Sequence, residues 1–226
     1  ILLIDILKSY GYTVHAYKPD DFDMISNTSD VFSKEANADV WFIIGHGDVE
    51  PDSNRSIIQV STKLVSLSEI RAQLTKQMVV DTTWRYGTKK IGDIIEIGHY
   101  AYADSNRLDY ILPALSDTLI FASNCSSCWS GNSDYSIPNV FLHHNAKAYL
   151  GYDLPVYVDH AFDMLEIFAV SMDSANGLYS TYKELYELNL PIYIEEENDK
   201  AKGKDTLGGA KICLFARTEQ QVGYLY

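Results

Sequence analysis

The chain has 226 residues, enough for one large domain, and its 46% hydrophobic, 22% charged and 12% aromatic content excludes disordered, collagenous and low-complexity classes. With 18 Lys and Arg against 31 Asp and Glu, the net charge is −13; such a surface repels phosphate backbones and anionic headgroups, so nucleic acid is not an expected partner. No apolar run reaches the ~18 residues a membrane-spanning helix requires, so membrane insertion is not expected either.

The chain opens on Ile1 rather than Met, and Leu3, Ile6, Leu7 and Tyr10 recur at helical steps up to Gly11, which supplies the stop. The expectation is that a first strand of the natural chain precedes Ile1. Thr13 to Tyr17 favours β, and Asp20 to Ala36 returns to helical spacing through Phe22, Ile25 and Phe32. Val40 to Ile44 is a continuous apolar run between Asp39 and Gly45, the pattern of a strand covered on both faces of a parallel sheet. Residues 48–105 read as an insertion, with a short strand at Ile57 to Val60, a helix at Leu67 to Thr75 and loop from Asp81 to Gly92.

A helix follows over Asn106 to Leu115, interrupted at Pro113, and then a second buried strand over Thr118 to Ala122. Pro138 takes a first helical position, ahead of Val140 and Phe141. Ala146 to Tyr152 is a third strand, Tyr157 to Met172 and Ala175 to Leu188 are helices, and Ile192 to Ile194 and Lys211 to Ala216 are late strands, with Glu195 to Gly209 a surface loop. There is no internal repeat and no linker, so residues 1–226 read as one α/β domain with helices around a mainly parallel sheet.

In open α/β sheets the reactive crevice lies beyond the carboxyl ends of the strands. Two such ends carry reactive groups: His46 after Val40 to Ile44, and Cys125 after Thr118 to Ala122. A thiol must lose its proton to attack a carbonyl, and an imidazole can take that proton and later give it to the leaving amine. Gly45 and Gly47 let the backbone bend sharply around His46. The amides of Gly47 and Cys125 are the expected oxyanion donors, and Ser126, Ser127, Ser130 and Gly131 make the following loop small and polar.

An apolar strand ending in Gly45-His46-Gly47, then one ending in Ser123-Asn124-Cys125, then the small-residue strand Asn145 to Tyr152 resembles the caspase-like cysteine peptidases, from about Leu2 to Tyr186. That clan includes caspases, legumains, gingipains, clostripains, separases and bacterial CHAT domains, and the likeness is nearest to gingipain- or CHAT-like members. The resemblance implies a three-layer α/β/α caspase-like fold and a thiol protease with a His46–Cys125 dyad, needing no metal or other cofactor. It further implies specificity set by the residue before the scissile bond and frequent activation by proteolysis; if basic residues are preferred, Lys63, Lys76, Arg85, Lys89 and Lys90 would be natural self-cleavage points. The expected partners are a peptide or protein substrate and a regulatory protein or domain.

In basic-specific relatives an acidic residue stands two positions before the nucleophile; here it is Ser123, which is neutral. Asp153, past the third strand, is placed to form the neighbouring pocket wall and to pair with Arg or Lys, its bland alternative being a turn cap before Pro155. Four other readings compete. Cys125 and Cys128 form a C-x-x-C redox pair, with Cys128 alternatively a bystander or a resolving thiol, and Cys213 reads as core. Cys125, Cys128, His143 and His144 could gather zinc, although adjacent helical histidines diverge by ~100°. His99 and His160 are rival bases. A non-catalytic binding module would keep the fold and lose turnover. Three cysteines leave the compartment open.

Overall fold

The computed structural model describes residues 2–17, 25–50, 55–59, 102–129, 136–172, 178–201 and 210–217. Four strands form the central sheet: β1 (Val40–Ile44), β5 (Leu119–Ser123), β6 (Ala148–Tyr152) and β7 (Ile212–Ala216), side by side in that order. The pairs β1/β5 and β5/β6 are parallel, and β7 closes the row antiparallel to β6. A second, antiparallel sheet is built from β2 (Gly47–Glu50), β3 (Arg55–Gln59) and β4 (Tyr102–Asp104).

Because successive side chains of a strand point to opposite faces, the apolar runs divide between two cores. Trp41, Ile120, Ala122 and Tyr149 face one core, which they share with Phe32 of α2 (Ile25–Lys34), Leu108 and Ile111 of α3 (Ser105–Ile111), and Val140 and Phe141 of α4 (Ile137–His143). Phe42, Leu119, Phe121, Leu150 and Tyr152 face the other. There they meet Leu3 of α1 (Leu2–Ser9), Met164, Leu165 and Phe168 of α5 (Val158–Met172), and Leu178 and Leu185 of α6 (Leu178–Ala201). This mixed α/β arrangement, with helices supplying both cores of a mostly parallel sheet, is compatible with three layers. Continuous apolar runs are what a sheet covered on both faces demands.

The second core is knit by aromatic rings, with Phe168 set edge-on to Phe121 at 5.2 Å and to Phe42 at 6.0 Å. Local signals set the helix ends. Gly11, at φ 84°, closes α1 with its N–H on the Lys8 carbonyl. Ser136 caps α4, its hydroxyl accepting the Asn139 N–H at 3.5 Å, and Pro138 lies in the first turn.

Several expectations need correction. Thr13 to Tyr17 forms no strand; instead His15 and Tyr17 both reach the Glu35 carboxylate, His15 Nδ1 at 2.8 Å. Ile192 to Ile194 lies within α6, which runs on to Ala201 through part of the expected loop. The late strand β7 pairs antiparallel, and β2 and β4 were not anticipated. β1 is an edge of the described sheet and only Trp41 in it is fully buried, so its apolar run reflects coverage of both faces rather than deep burial. The expected helix at 67–75, the loop at 81–92 and the five basic cleavage points lie outside the described residues.

Phe168 is fully buried, so Phe168→Ala removes a ring touching two strands and should destabilise the fold by about 3–5 kcal/mol, read from urea unfolding.

Candidate active site

Parallel pairing brings the two expected reactive residues to one rim. β1 and β5 run in register from Val40 opposite Leu119 to Ile44 opposite Ser123, so Gly45-His46 and Asn124-Cys125 leave the sheet side by side. Gly45 and His46 are the whole link from β1 into β2. At Gly47 the chain presses on the Cys125 loop: a Cβ there would lie 2.2 Å from the Cys125 carbonyl oxygen and 3.0 Å from Asn124 Cβ. Only glycine permits that approach.

Hydrogen bonds fix the His46 main chain. Its N–H reaches Gln59 Oε1 at 3.4 Å, and its carbonyl accepts both the Gln59 N–H at 2.9 Å and Asn124 Nδ2 at 3.3 Å. Antiparallel ladders alternate bonded and non-bonded pairs, so with His46 bonded to Gln59 the next pair, Gly47 and Ile58, directs the Gly47 N–H away from β3. The imidazole of His46 is exposed.

Cys125 is half-buried and is the free cysteine of the chain. Its Sγ accepts the Val156 N–H at 3.5 Å and faces the Val156 carbonyl at 3.7 Å, which turns the thiol toward the core beneath α5. Three following amides are engaged: Ser126 donates to Leu154, Ser127 to Asn124 and Cys128 to Tyr152. Among the described residues the Cys125 N–H makes no such bond. Ser126 sits at φ 53° and its carbonyl accepts the Ser56 hydroxyl from β3, tying the second sheet to the nucleophile loop.

Ser126 and Ser127 are buried rather than lining an open polar loop. Ser127 Oγ donates to the Ala122 carbonyl at 3.0 Å and accepts the Tyr152 N–H at 3.1 Å, while its own carbonyl accepts the Tyr149 hydroxyl at 2.9 Å. A Cβ on Gly151 would lie 2.5 Å from Ser127 Oγ, so a glycine in β6 makes room for this hydroxyl. Burial pushes the Tyr149 and Tyr152 phenols up, so both stay neutral. Ser130 and Gly131 lie outside the described residues.

The redox-pair expectation is corrected here. Cys128 is disulfide-bonded to Cys213 of β7, with a Cα–Cα distance of 6.6 Å across 85 residues of sequence. Cys128 belongs to the core of α2, α3 and α4 and Cys125 to the opposite one, so the turn separates the two thiols onto different faces of the sheet. Cys128 is neither bystander nor resolving thiol, and Cys213 is a cross-link rather than simple core. The zinc expectation also fails on geometry: His144 Nδ1 meets the Pro113 carbonyl at 3.1 Å and Nε2 meets Asp109 Oδ1 at 2.9 Å, while Cys128 is oxidised.

His160 is bound to Asn189, which donates to the Ala210 carbonyl. This sets His160 of α5 against Asn189 of α6. His99 lies outside the described residues.

Ser123 is buried at the end of β5. Asp153 follows β6; its Oδ1 accepts the Lys211 N–H at 2.6 Å and its own N–H bonds the Lys211 carbonyl at 3.1 Å, so one carboxylate oxygen serves the β6/β7 pairing. Burial raises the Asp153 carboxyl from its ordinary value, partly offset by the Lys211 N–H and charge.

Of the residues that shape this site, sequence reading missed Asn124, Ser56, Gln59, Val156 and Gly151. Asn124 stood next to the nucleophile and was legible in position; the others act through contacts no local pattern announces. No protein-family model matches the chain, and no curated protein matches it.

Under denaturing, non-reducing conditions the chain should titrate one thiol, and three after reduction, as measured with a chromogenic disulfide reagent. A raised folded-state carboxyl stabilises below its unfolded value, and that stability is lost as pH rises through the folded one. Asp153→Asn keeps an Oδ1 acceptor for Lys211, so it should be modestly more stable than wild type at neutral pH. That advantage should vanish in acid, as read by urea unfolding at the two pH values.

Proposed function

We propose that this protein is a caspase-like cysteine endopeptidase acting through His46 and Cys125. The observation that carries the proposal is the in-register β1/β5 pairing, which brings the main chain at His46 beside that at Cys125, the free cysteine, beyond the carboxyl ends of parallel strands, with Gly47 against the Cys125 carbonyl. The adjacent parallel strands and the helices supplying both cores support a three-layer α/β/α fold of that clan.

In this reading Cys125 Sγ attacks the peptide carbonyl as the His46 imidazole takes its proton, and the Cys125 and Gly47 N–H groups receive the oxyanion. Collapse of the tetrahedral intermediate breaks the C–N bond, His46 protonates the departing amine, and a thioester remains on Cys125. Water, deprotonated by the same imidazole, hydrolyses the thioester and restores the thiol. In the structure the thiol is bonded to Val156, so productive contact with the exposed imidazole forms as substrate fills the crevice, as is common for catalytic hydrogen bonds in free enzymes.

Specificity is a subordinate part of the proposal. A preference for Arg or Lys before the scissile bond rests on Asp153 as pocket wall beside Ser123, aided by the net charge of −13. The engagement of Asp153 Oδ1 with Lys211 makes that preference modest.

A fluorogenic peptide panel tests the reading. Cys125→Ala should abolish turnover, and His46→Ala should lower kcat/KM by about 10²–10⁴. Equal activity in Cys125→Ala ends the mechanism, and a folded wild type inactive on every peptide favours the binding module. An Asp153→Asn enzyme with an unchanged Arg-to-Asp selectivity ratio removes Asp153 from the pocket and leaves the dyad standing.

A further inference from the structure

We propose that Asn124 is a positioning residue whose side-chain amide clamps the Gly45–Gly47 turn and so holds His46 against the Cys125 loop. The inference rests on the His46–Cys125 reading above and adds a third residue to it.

Asn124 is 1% exposed. Its Nδ2 donates to the His46 carbonyl at 3.3 Å, the one side-chain bond running from the nucleophile loop to the His46 main chain among the described residues. The side chain packs against both glycines of the turn: a Cβ on Gly45 would be 3.3 Å from Nδ2, and one on Gly47 would be 3.0 Å from Asn124 Cβ. Both glycines flanking His46 therefore make room for this side chain. Cys125 follows Asn124 directly, so the clamp links the base to the nucleophile through a single residue.

The other half of the same amide adds nothing to stability. Asn124 Oδ1 is buried without a hydrogen-bond partner among the described residues. An orphaned buried acceptor opposes folding, and an apolar side chain of similar size would avoid it. Ser127 and Asn189 satisfy both their ends, whereas Thr118 Oγ1, Trp129 Nε1 and the Tyr152 hydroxyl share the orphaned state of Asn124 Oδ1 among the described residues, so it is the contact with His46 that carries the inference. Asn124 satisfies only the end that touches His46.

The test uses the oxidised protein, in which Cys125 is the single free thiol, so that iodoacetamide reports on Cys125 without any substrate. Alkylation rates at neutral pH and across a pH profile are compared for wild type, His46→Ala, Asn124→Ala, Asn124→Asp and the double variant Asn124→Ala/His46→Ala. Thermal midpoints run in parallel. His46→Ala should slow alkylation, and Asn124→Ala should slow it by about tenfold, the order of effect expected when a reacting group is displaced by a fraction of an ångström to an ångström. The double variant should be no slower than His46→Ala, because Asn124 acts through His46. Asn124→Asp keeps the shape and loses the donor, so it should match Asn124→Ala. The thermal midpoint of Asn124→Ala should stay within a few degrees of wild type.

Wild-type alkylation in Asn124→Ala, or losses that multiply in the double variant, overturns the positioning role while the dyad stands. A large drop in thermal midpoint with an unchanged pH profile makes the residue structural and also overturns it. If His46→Ala itself alkylates like wild type, the dyad reading falls, and the clamp with it.

Discussion

The approach of Gly47 to the Cys125 carbonyl is the contact on which the site depends. It is possible only because β1 and β5 are parallel neighbours in register to their last residues, and because no side chain intervenes. Shift the register by one residue and His46 would leave the sheet opposite Asn124, while every apolar side chain of β1 would change face. The division of Trp41 and Phe42 between two cores therefore guards the alignment of His46 with Cys125.

The nucleophile loop is held from three sides. The β6 side supplies Tyr152, whose N–H takes Ser127 Oγ, and Gly151, whose missing side chain admits that hydroxyl. The second sheet supplies Ser56, and the segment after β6 supplies Leu154 and Val156. Losing the Ser127 hydroxyl would leave a buried Tyr152 N–H unpaired at a cost of about 1–3 kcal/mol, large for one side chain. A loop fixed this firmly keeps the Cys125 amide and thiol in one geometry, whereas His46 stands on a two-residue link with an exposed ring.

The disulfide adds a constraint of a different kind. Cys128 to Cys213 joins the end of the nucleophile loop to the antiparallel edge strand, closing a loop of 85 residues. In the chain-entropy account a cross-link of that span removes about 4–5 kcal/mol of unfolded-state freedom. It also takes Cys128 out of reach of Cys125, so the nearest thiol in sequence is not its partner in space.

Much of this was already present in the amino-acid order. Val40 to Ile44 and the runs near 119–123 and 148–152 declared strands through uninterrupted apolar residues, and Gly11 and Ser136 marked helix boundaries, because these signals are local and act through the backbone of the same few residues. The position of His46 and Cys125 just beyond two strand ends was legible because both strands were, and the β1/β5 pairing made those ends neighbours. What only the tertiary structure decided was whatever rests on distant neighbours. The partner of Cys128 lies 85 residues away, the direction of β7 depends on the path of the chain before it, and Ile192 to Ile194 became helix because α6 continued through an apolar triplet that favours either state. The Lys211 N–H that bonds the Asp153 carboxylate comes from a residue 58 positions away, so no local pattern announced it. Side-chain hydrogen bonds such as Asn124 to His46 have no sequence period, so they become visible only once the backbone has brought two loops within 3.3 Å.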